Sequence, residues 1–222
     1  MGRSRVAFVI PALNEEHSIT NVVVSLLRHG TPIVVNDGST DSTSTRAREA
    51  GAIVVDLPCN RGYDGALEAG FAEAAARDFD YAVTFDADGQ HNPKLVEEFV
   101  SELDRGAEVV SGVRDRRQRL GEHLFAWVTK MAWGINDPLC GMKAYRMSIY
   151  RELGHFDCYR SIGTELLLHA VRNGYKVSQI PVNTFDRDGQ PRFGRRLNAN
   201  LRIMRALLLG LLPSLRPNES KT

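Results

Sequence analysis

Short apolar runs alternate with longer amphipathic stretches along the first half of the chain. Five runs rich in β-branched residues predict strands, because strands buried on both faces read as continuous apolar segments. They cover residues 6–10, 33–36, 53–56, 81–86 and 109–112. Helical patterns separate them at 15–29, 42–50, 62–77 and from Pro93 onward. This alternation predicts an α/β fold, with a mostly parallel central sheet and helices on both faces.

The pattern changes after about residue 115. Arginines at 114, 116, 117 and 119 precede an amphipathic stretch at 123–135, and a helix at 161–173 and a strand at 176–182 are expected beyond it. No long linker or internal repeat interrupts the chain. We therefore predict one catalytic domain over 1–196, followed by a basic amphipathic helix and tail over 197–222. The apolar residues of 123–135 face either the core or a membrane interface.

Composition narrows the class of protein. Hydrophobic residues make up 43% and charged residues 25% of the 222, which excludes a disordered, collagen-like or multispan membrane chain. Lys and Arg number 28 against 27 Asp and Glu, which argues against a general nucleic-acid binder. Cys59, Cys140 and Cys158 are scattered and lack C-x-x-C spacing, which disfavours a disulfide scaffold or a structural zinc site and fits a reducing compartment.

Polar, turn-rich loops follow three of the predicted strands, at residues 11–16, 36–43 and 86–91. The carboxyl ends of parallel strands share one edge of a sheet, where such folds bind ligands. The glycine signatures of dinucleotide-binding folds and of phosphate-cradling loops are missing from the sequence, which makes a dehydrogenase or P-loop enzyme improbable.

The third of these loops gives the most specific indication of function. Asp86 and Asp88 stand two residues apart after a buried strand and so point the same way, where they repel each other unless a cation lies between them. Gln90 offers a further oxygen, and oxygen ligands suit Mg²⁺ or Mn²⁺. The alternative is a turn that uses Asp and Gly for backbone reasons.

The other two loops are open to two interpretations. Asp37 ends a buried strand and can accept hydrogen bonds from a nucleobase, whereas the Ser and Thr residues after it suit a helix cap. Asn14 and Glu15 can contact a ligand or begin a helix, since acidic residues in a first turn complement the helix dipole.

Together the three loops resemble inverting glycosyltransferases of family 2. The family's Pro-x-x-Asn-Glu appears at 11–15, its Asp-Gly-Ser-x-Asp at 37–41 and its Asp-x-Asp at 86–88. The resemblance is sharper to dolichyl- and polyprenyl-phosphate mannose synthases and their glucose-using relatives, whose Asp-Ala-Asp-x-Gln-His string stands at 86–91. An Arg after the fifth strand (Arg114), the segment 137–146 and the Glu-Leu-Leu of 165–167 also match.

The resemblance implies a single glycosyltransferase A-type domain that binds a UDP- or GDP-linked sugar. It implies that Asp86, Asp88 and Gln90 hold Mg²⁺ or Mn²⁺ on the diphosphate. The residues that it places around the nucleotide sugar are Pro11, Ala12, Leu13, Asn14, Glu15, Val35, Asp37, Asp86, Ala87 and Asp88. Family members often have Tyr at the position of Leu13, so stacking on the base is expected to be weaker here.

The acceptor implied by the resemblance is polyprenyl phosphate, which needs no strong general base because it is already an anion. Beside Asp88, the expected catalytic residues are then Arg114, Arg187 and Arg192, which orient phosphates, although 187–192 matches the family's phosphate loop only loosely. For a sugar hydroxyl as acceptor, Asp137 is the candidate base. A third hypothesis is a nucleotide-sugar sensor without catalysis.

Charge is distributed unevenly along the chain. Residues 187–222 carry eight Lys or Arg against two Asp or Glu, so the remaining 186 residues are net acidic. The basic segment and the apolar run at 206–212 favour peripheral contact with the cytoplasmic face of an anionic membrane. The same surface suits a homo-oligomer or a membrane-protein partner instead.

Overall fold

The computed structural model of the protein describes residues 5–87, 94–116, 119–182 and 196–212. Seven strands form one sheet in this part of the chain, in the order β3-β2-β1-β4-β6-β5-β7. The strands are β1 (Val6–Ala12), β2 (Thr31–Asn36), β3 (Ile53–Asp56), β4 (Tyr81–Thr84), β5 (Val109–Arg114), β6 (Lys143–Arg146) and β7 (Val177–Val182). All neighbours pair in parallel except β6, which runs antiparallel to both β4 and β5. The predicted α/β class with a mostly parallel sheet is confirmed.

Eight helices accompany these strands in the described residues. They are α1 (Ile19–Leu26), α2 (Thr43–Glu49), α3 (Gly62–Ala76), α4 (Lys94–Asp104), α5 (Leu120–Trp133), α6 (Met147–Leu153), α7 (Glu165–Arg172) and α8 (Arg196–Leu211). The helices α1, α2 and α4 bury apolar side chains on one face of the sheet, and α3 and α5–α8 do so on the other.

The alternation of side chains along β1 divides the core between these faces. Phe8 and Ile10 pack with the first group of helices, and Ala7 and Val9 with the second. A Cβ at Gly70 of α3 would lie 2.2 Å from Val9 Cγ1, so only glycine lets α3 approach β1 so closely. Because α3 follows the parallel strand β3, it begins at the carboxyl edge of the sheet.

Two predicted helix starts are wrong by four residues. The first helix begins at Ile19 rather than residue 15, because Glu15 forms a turn in which its carbonyl accepts the N–H groups of Ser18 and Ile19. The helix expected from Ser161 begins at Glu165, because the Ser161 hydroxyl accepts the N–H of Thr164 in a preceding turn.

The strand β6 and the helix α6 are the elements that the sequence pattern did not predict. Residues 143–146 were assigned only to a family motif, yet they pair between β4 and β5. Because β6 is antiparallel, its first residue, Lys143, lies at the edge where its parallel neighbours end. One more segment of the chain therefore reaches the polar loops.

The last helix packs along α5. The N–H of Gly121 donates to Asn200 Oδ1 at 3.3 Å, and a Cβ at Gly121 would come within 3.0 Å of the same oxygen. Among the described residues, no helix combines the length and apolarity that crossing a membrane requires.

Candidate active site

The loops after β1 and β2 are tied together by hydrogen bonds. Asn14, held at a φ of 53°, donates its N–H to Ser39 Oγ (2.9 Å) and accepts the N–H of Thr40 on its side-chain oxygen (2.9 Å). Glu15 donates its N–H to Thr43 Oγ1 (2.8 Å), and its carboxylate accepts from Ser18 Oγ (3.1 Å). Asn14 and Glu15 therefore organise this edge, a role that differs from the helix start that the sequence offered as the structural alternative to ligand contact.

The register of β1 and β2 brings together the expected nucleotide-pocket residues. Pro11 lies opposite Val35 and Ala12 opposite Asn36, while the N–H of Asp37 donates to the carbonyl of Ala12 at 2.9 Å. Leu13 follows and is half-buried. Residues that two separate motifs assign to the nucleotide pocket are thus neighbours at the ends of two adjacent strands, although Ala12 and Val35 among them are buried.

Asp37 links this wall to α3. Its carboxylate is buried and accepts the N–H groups of Arg61 (2.6 Å) and Gly62 (2.9 Å) at the start of the helix. Burial raises the pKa of Asp37, while these two N–H donors partly offset the effect. The carboxylate therefore has a structural task, which the sequence did not reveal, alongside its expected place next to the base.

The expected metal ligand Asp86 lies just past β4. Phe85 donates its N–H to the carbonyl of Val9 at 3.0 Å, which keeps the chain aligned with β1 up to Asp86. A Cβ at Gly141 would lie 3.0 Å from Asp86 Oδ2, so the missing side chain leaves room at the carboxylate. Ala87 is buried. Asp88 and Gln90, the other expected ligands, fall outside the described residues.

The first turn of α3 adds residues that the motif analysis missed. Burial first, and then the negative charge of Asp86, raise the pKa of Tyr63. Burial and the neighbouring Asp157 raise the pKa of Asp64 to about 7, and Asp64 Oδ1 accepts the N–H of Gly163 at 2.7 Å. A signal for Tyr63 and Asp64 exists in the sequence, because a helix that follows a parallel strand begins at the ligand-binding edge.

Asp64 and Asp157 connect α3 to the loop between α6 and α7. Arg160, Ile162 and Gly163 of this loop all have left-handed backbone conformations, with φ near 60°. For Arg160 and Ile162 such values are strained and persist only where the surroundings impose them. The hydrogen bond from Gly163 to Asp64 is one such constraint.

Arg114 and Asp137 form a buried ion pair at the end of β5. Asp137 Oδ2 accepts from Arg114 Nε (2.8 Å) and Oδ1 from an Arg114 terminal nitrogen (2.9 Å), while the Arg114 N–H also points to Oδ2 (3.1 Å). Burial alone would raise the pKa of Asp137, but the hydrogen bonds and charge of Arg114 outweigh it and hold the pKa below its ordinary value. A carboxylate with a lowered pKa is a weaker base.

Two further residues extend this pair. Glu122 lies 3.4 Å from Arg114 and 3.2 Å from Arg119, so the guanidinium of Arg114 lies between two carboxylates. Lys143 is buried behind them and donates from Nζ to the carbonyl of Gly163 at 3.1 Å; burial lowers its pKa to about 8. Lys143 stands in the family motif at 137–146, but the sequence alone assigned it no role.

The structure thus brings most of the expected residues to one edge of the sheet. The loops after β1, β2 and β4 meet there, and the turn from Asp137 to Gly141 runs from the Arg114 ion pair to Asp86. Arg187 and Arg192 fall outside the described residues, so their placement stays a prediction.

The sequence that carries these residues matches a known protein family. Residues 7–127, more than half of the chain, match the family described as "Glycosyl transferase family 2". The chain belongs to glycosyltransferase family 2. It is an enzyme of the class that the three motifs indicated, and the sensor hypothesis loses its basis.

Relatives of this glycosyltransferase include enzymes of lipid-linked sugar transfer. A "Dolichyl-phosphate hexose transferase" of Haloferax volcanii is 29% identical over 197 residues, which cover 83% of this chain and 84% of the relative. An "Undecaprenyl-phosphate mannosyltransferase" of Micrococcus luteus is 29% identical over 212 residues, with coverages of 83% and 85%.

The glycosyltransferase also shares its fold with solved structures. One is glucosyl-3-phosphoglycerate synthase from Mycobacterium tuberculosis in complex with Mn²⁺ and UDP-glucose. It matches with a TM-score of 0.75 and 25% identity, over 97% of this chain and 81% of that one. The expected glycosyltransferase A-type fold is confirmed.

Proposed function

We propose that this glycosyltransferase moves a hexose from a nucleoside diphosphate sugar to a polyprenyl phosphate at a membrane surface, with Mg²⁺ or Mn²⁺ as cofactor. The observation that carries the acceptor class is the ion pair of Arg114 and Asp137. It occupies both oxygens of the carboxylate expected to act as base on a hydroxyl acceptor. A phosphate acceptor needs no such base, and relatives in two organisms carry names that specify lipid-phosphate acceptors.

The donor is proposed to lie along the ends of β1 and β2. Pro11 and Leu13, which are partly exposed, supply apolar contacts for the nucleoside, whereas Val35 is fully buried opposite Pro11 and supports this wall from within the sheet. The carboxylate of Asp37 offers its remaining acceptor positions to the base. The tied loops keep this wall rigid, which lowers the entropy that binding costs.

The described residues fit a divalent metal. Asp86 brings a carboxylate oxygen to the edge of the sheet, and Gly141 leaves space beside it. We propose Asp88 and Gln90 as the further ligands. A metal bound there supplies charge stabilisation for the departing nucleoside diphosphate. A solved relative contains Mn²⁺ together with UDP-glucose, which supports this assignment.

The acceptor phosphate is proposed to approach from the β5 side of the crevice. Arg114 is held at the end of β5 by Asp137, so its guanidinium is pre-oriented, and arginine suits planar recognition of phosphate. Arg187 and Arg192 are proposed to add phosphate contacts.

Exposed apolar side chains on α5 and α8 support a membrane-borne acceptor. Leu120, Trp127 and Met131 are 83%, 62% and 73% exposed and follow one stripe of α5, while Phe125 of the same helix is buried. Leu201, Leu208 and Leu212 continue the exposed apolar surface along α8 and just after it. One side of the amphipathic stretch therefore packs in the core, and the other side is exposed and suits a membrane interface. We propose that this surface rests on the cytoplasmic face of an anionic membrane.

The test is transfer from radiolabelled UDP-glucose, UDP-mannose, GDP-glucose and GDP-mannose to polyprenyl phosphate in detergent, with Mn²⁺, Mg²⁺ or EDTA. The expected result is lipid-soluble label from one of these donors, lost with EDTA and in Asp86→Asn. Label that reaches the lipid at an unchanged rate in EDTA would overturn the metal assignment.

A sugar or small-molecule hydroxyl is the second candidate acceptor. It is favoured by the likeness to a structure named glucosyl-3-phosphoglycerate synthase, and it retains Asp137 as base. Including 3-phosphoglycerate in the same assay separates the two candidates, because water-soluble labelled product with no lipid product would replace the first proposal by the second.

A further inference from the structure

A cluster of three potential metal ligands lies in the segment that joins α6 to α7 and at the first residue of α7. His155, Cys158 and Glu165 each direct one ligand atom to a common point, and these atoms all lie within 4.8 Å of one another. The motif analysis did not find this cluster, in which His155 and Cys158 stand in the loop after α6 and Glu165 begins α7.

We propose that His155, Cys158 and Glu165 form a zinc site. Thiolate, imidazole and carboxylate together are a donor set that Zn²⁺ prefers over Mg²⁺ or Ca²⁺. The site is separate from the proposed Mg²⁺ or Mn²⁺ site and does not depend on the proposed function.

The distances fit a tetrahedral ion. Zinc bonds of about 2.3 Å to sulfur and about 2.0–2.1 Å to nitrogen and oxygen separate neighbouring ligand atoms by about 3.3–3.5 Å. Glu165 Oε1 lies 3.3 Å from His155 Nε2 and 3.3 Å from Cys158 Sγ. Two edges of the tetrahedron therefore already have the required length, and His155 and Cys158 must approach each other to close the third.

The charges and protons also balance. In the metal-free site the Cys158 thiol donates to Glu165 Oε1, and the ion takes the place of that proton, which is released to solvent. The histidine binds as a neutral ring through Nε2, with its proton on Nδ1. One thiolate and one carboxylate then neutralise Zn²⁺.

The surroundings hold the ligands in place. Glu165 is fully buried, and its second oxygen, Oε2, accepts the N–H of Cys158 at 2.7 Å, a support that metal binding leaves intact. Glu68 of α3 accepts the N–H groups of Phe156 (2.5 Å) and Asp157 (3.2 Å), which fixes the backbone between the two loop ligands. Preorganised ligands of this kind raise metal affinity.

The site has an open side. His155 is 30% exposed and Cys158 is partly exposed, so an ion can enter from solvent and complete its shell with water. Bound zinc would fix the loop that contains Arg160, Ile162 and Gly163, next to Asp64.

The experiment measures metal binding by the full-length chain after removal of metal. Titration with Zn²⁺ against a chromophoric chelator gives affinity, and Co²⁺ in place of Zn²⁺ gives a thiolate charge-transfer band when sulfur is a ligand. Cys158→Ser and His155→Gln remove ligands. Cys59→Ser and His123→Gln are the matched controls, since both side chains are exposed and neither belongs to the segment or the helix that carries the cluster.

The expected result is one zinc ion per chain in the wild type, both controls and Asp86→Asn. Cys158→Ser should lose at least about 100-fold in affinity, since even outer-shell changes cost about 10–100-fold. X-ray absorption of the wild-type zinc form should show one sulfur in the shell, a result independent of any variant's folding. A shell without sulfur, or equal affinity in Cys158→Ser, overturns the proposal.

Discussion

The ion pair of Arg114 and Asp137 illustrates how a single contact assigns a role. A buried carboxylate that accepts three N–H groups from one arginine is stabilised as an anion, so it positions that arginine. The motif alone offered Asp137 as a candidate base for a hydroxyl acceptor, because its pattern does not show which neighbour the carboxylate faces. The separation of 23 residues from Arg114 along the chain hides their contact from any local analysis.

Asp137→Asn is expected to destabilise the fold. The substitution leaves Arg114 with the more distant carboxylate of Glu122, at 3.4 Å, as its counter-charge. Breaking a largely buried pair in this way costs about 3 kcal/mol in the free energy of unfolding. Urea denaturation measures this cost. The exposed pair of Glu73 and Arg77 is the control, because Glu73→Gln should change the free energy by less than about 1 kcal/mol. A variant that keeps full stability but loses transfer to a hydroxyl acceptor would instead identify Asp137 as a base.

The pH dependence of this cost has a definite sign. The pairing lowers the pKa of Asp137 below its model-compound value of 3.8, so the folded state binds this proton less readily than the unfolded chain. Its stabilising contribution is complete above about pH 5 and is lost as the pH falls through the folded pKa. The stability difference between wild type and Asp137→Asn should therefore be constant from pH 5 to 8 and shrink below pH 4. A difference that grows on acidification would contradict the ion-pair assignment.

Gly141→Ala should weaken metal binding without unfolding the protein. The added Cβ would stand 3.0 Å from Asp86 Oδ2 and displace this proposed ligand. We expect the Mn²⁺ concentration for half-maximal activity to rise about tenfold, as for other changes beside metal ligands. Gly154→Ala is the control: its φ of 82° strains the backbone, but nothing lies near the new Cβ, so only stability should fall. An unchanged metal requirement in Gly141→Ala would argue against Asp86 as a ligand.

At the scale of elements, the strands that alternate with helices were predictable, and the inserted β6 was not. Residues 53–56 and 62–76 fall where the hydrophobic pattern places them, because parallel strands and amphipathic helices have strong periodicities. In contrast, β6 has only four residues and two of them, Lys143 and Arg146, are charged. Its burial depends on distant partners such as the carbonyl of Leu103, which accepts from Arg146 at 2.6 Å.

The exposed apolar side of α5 predicts which surface of the protein contacts a membrane. Trp127 and Met131 are exposed, so replacing both with Ser should leave the fold intact. It should weaken binding to anionic vesicles by about 2 kcal/mol, or roughly 30-fold, from the apolar area lost. Vesicle co-sedimentation measures this change. Val24 and Leu27, which are 56% and 45% exposed at the other side of the sheet, provide the matched control pair. Equal losses in both pairs would indicate nonspecific adsorption instead.

At the scale of the whole molecule, one sheet edge collects residues that are far apart along the chain, from Pro11 to Lys143. The proposed nucleotide wall lies at the ends of β1 and β2, the proposed metal ligand Asp86 follows β4, and Arg114, which we propose to bind phosphate, ends β5. The sequence was sufficient to predict a ligand site at this edge, because the ends of strands are recognisable from the local sequence. The motif analysis missed Tyr63 and Asp64, although their place at the start of a helix after a parallel strand is a usable signal. The strained loop near Gly163 carries no such signal, because its conformation depends on its contact with α3.

The most direct test of the account compares two acceptors that differ only in the phosphate. Polyprenyl phosphate and the matching unphosphorylated polyprenol are offered together with Mn²⁺ and the active donor, and the products are identified by mass spectrometry. The account predicts one hexose on polyprenyl phosphate, none on polyprenol, and loss of the product in Asp86→Asn. Hexose transfer to polyprenol, or no transfer to polyprenyl phosphate while the donor is consumed on a soluble hydroxyl, would contradict it.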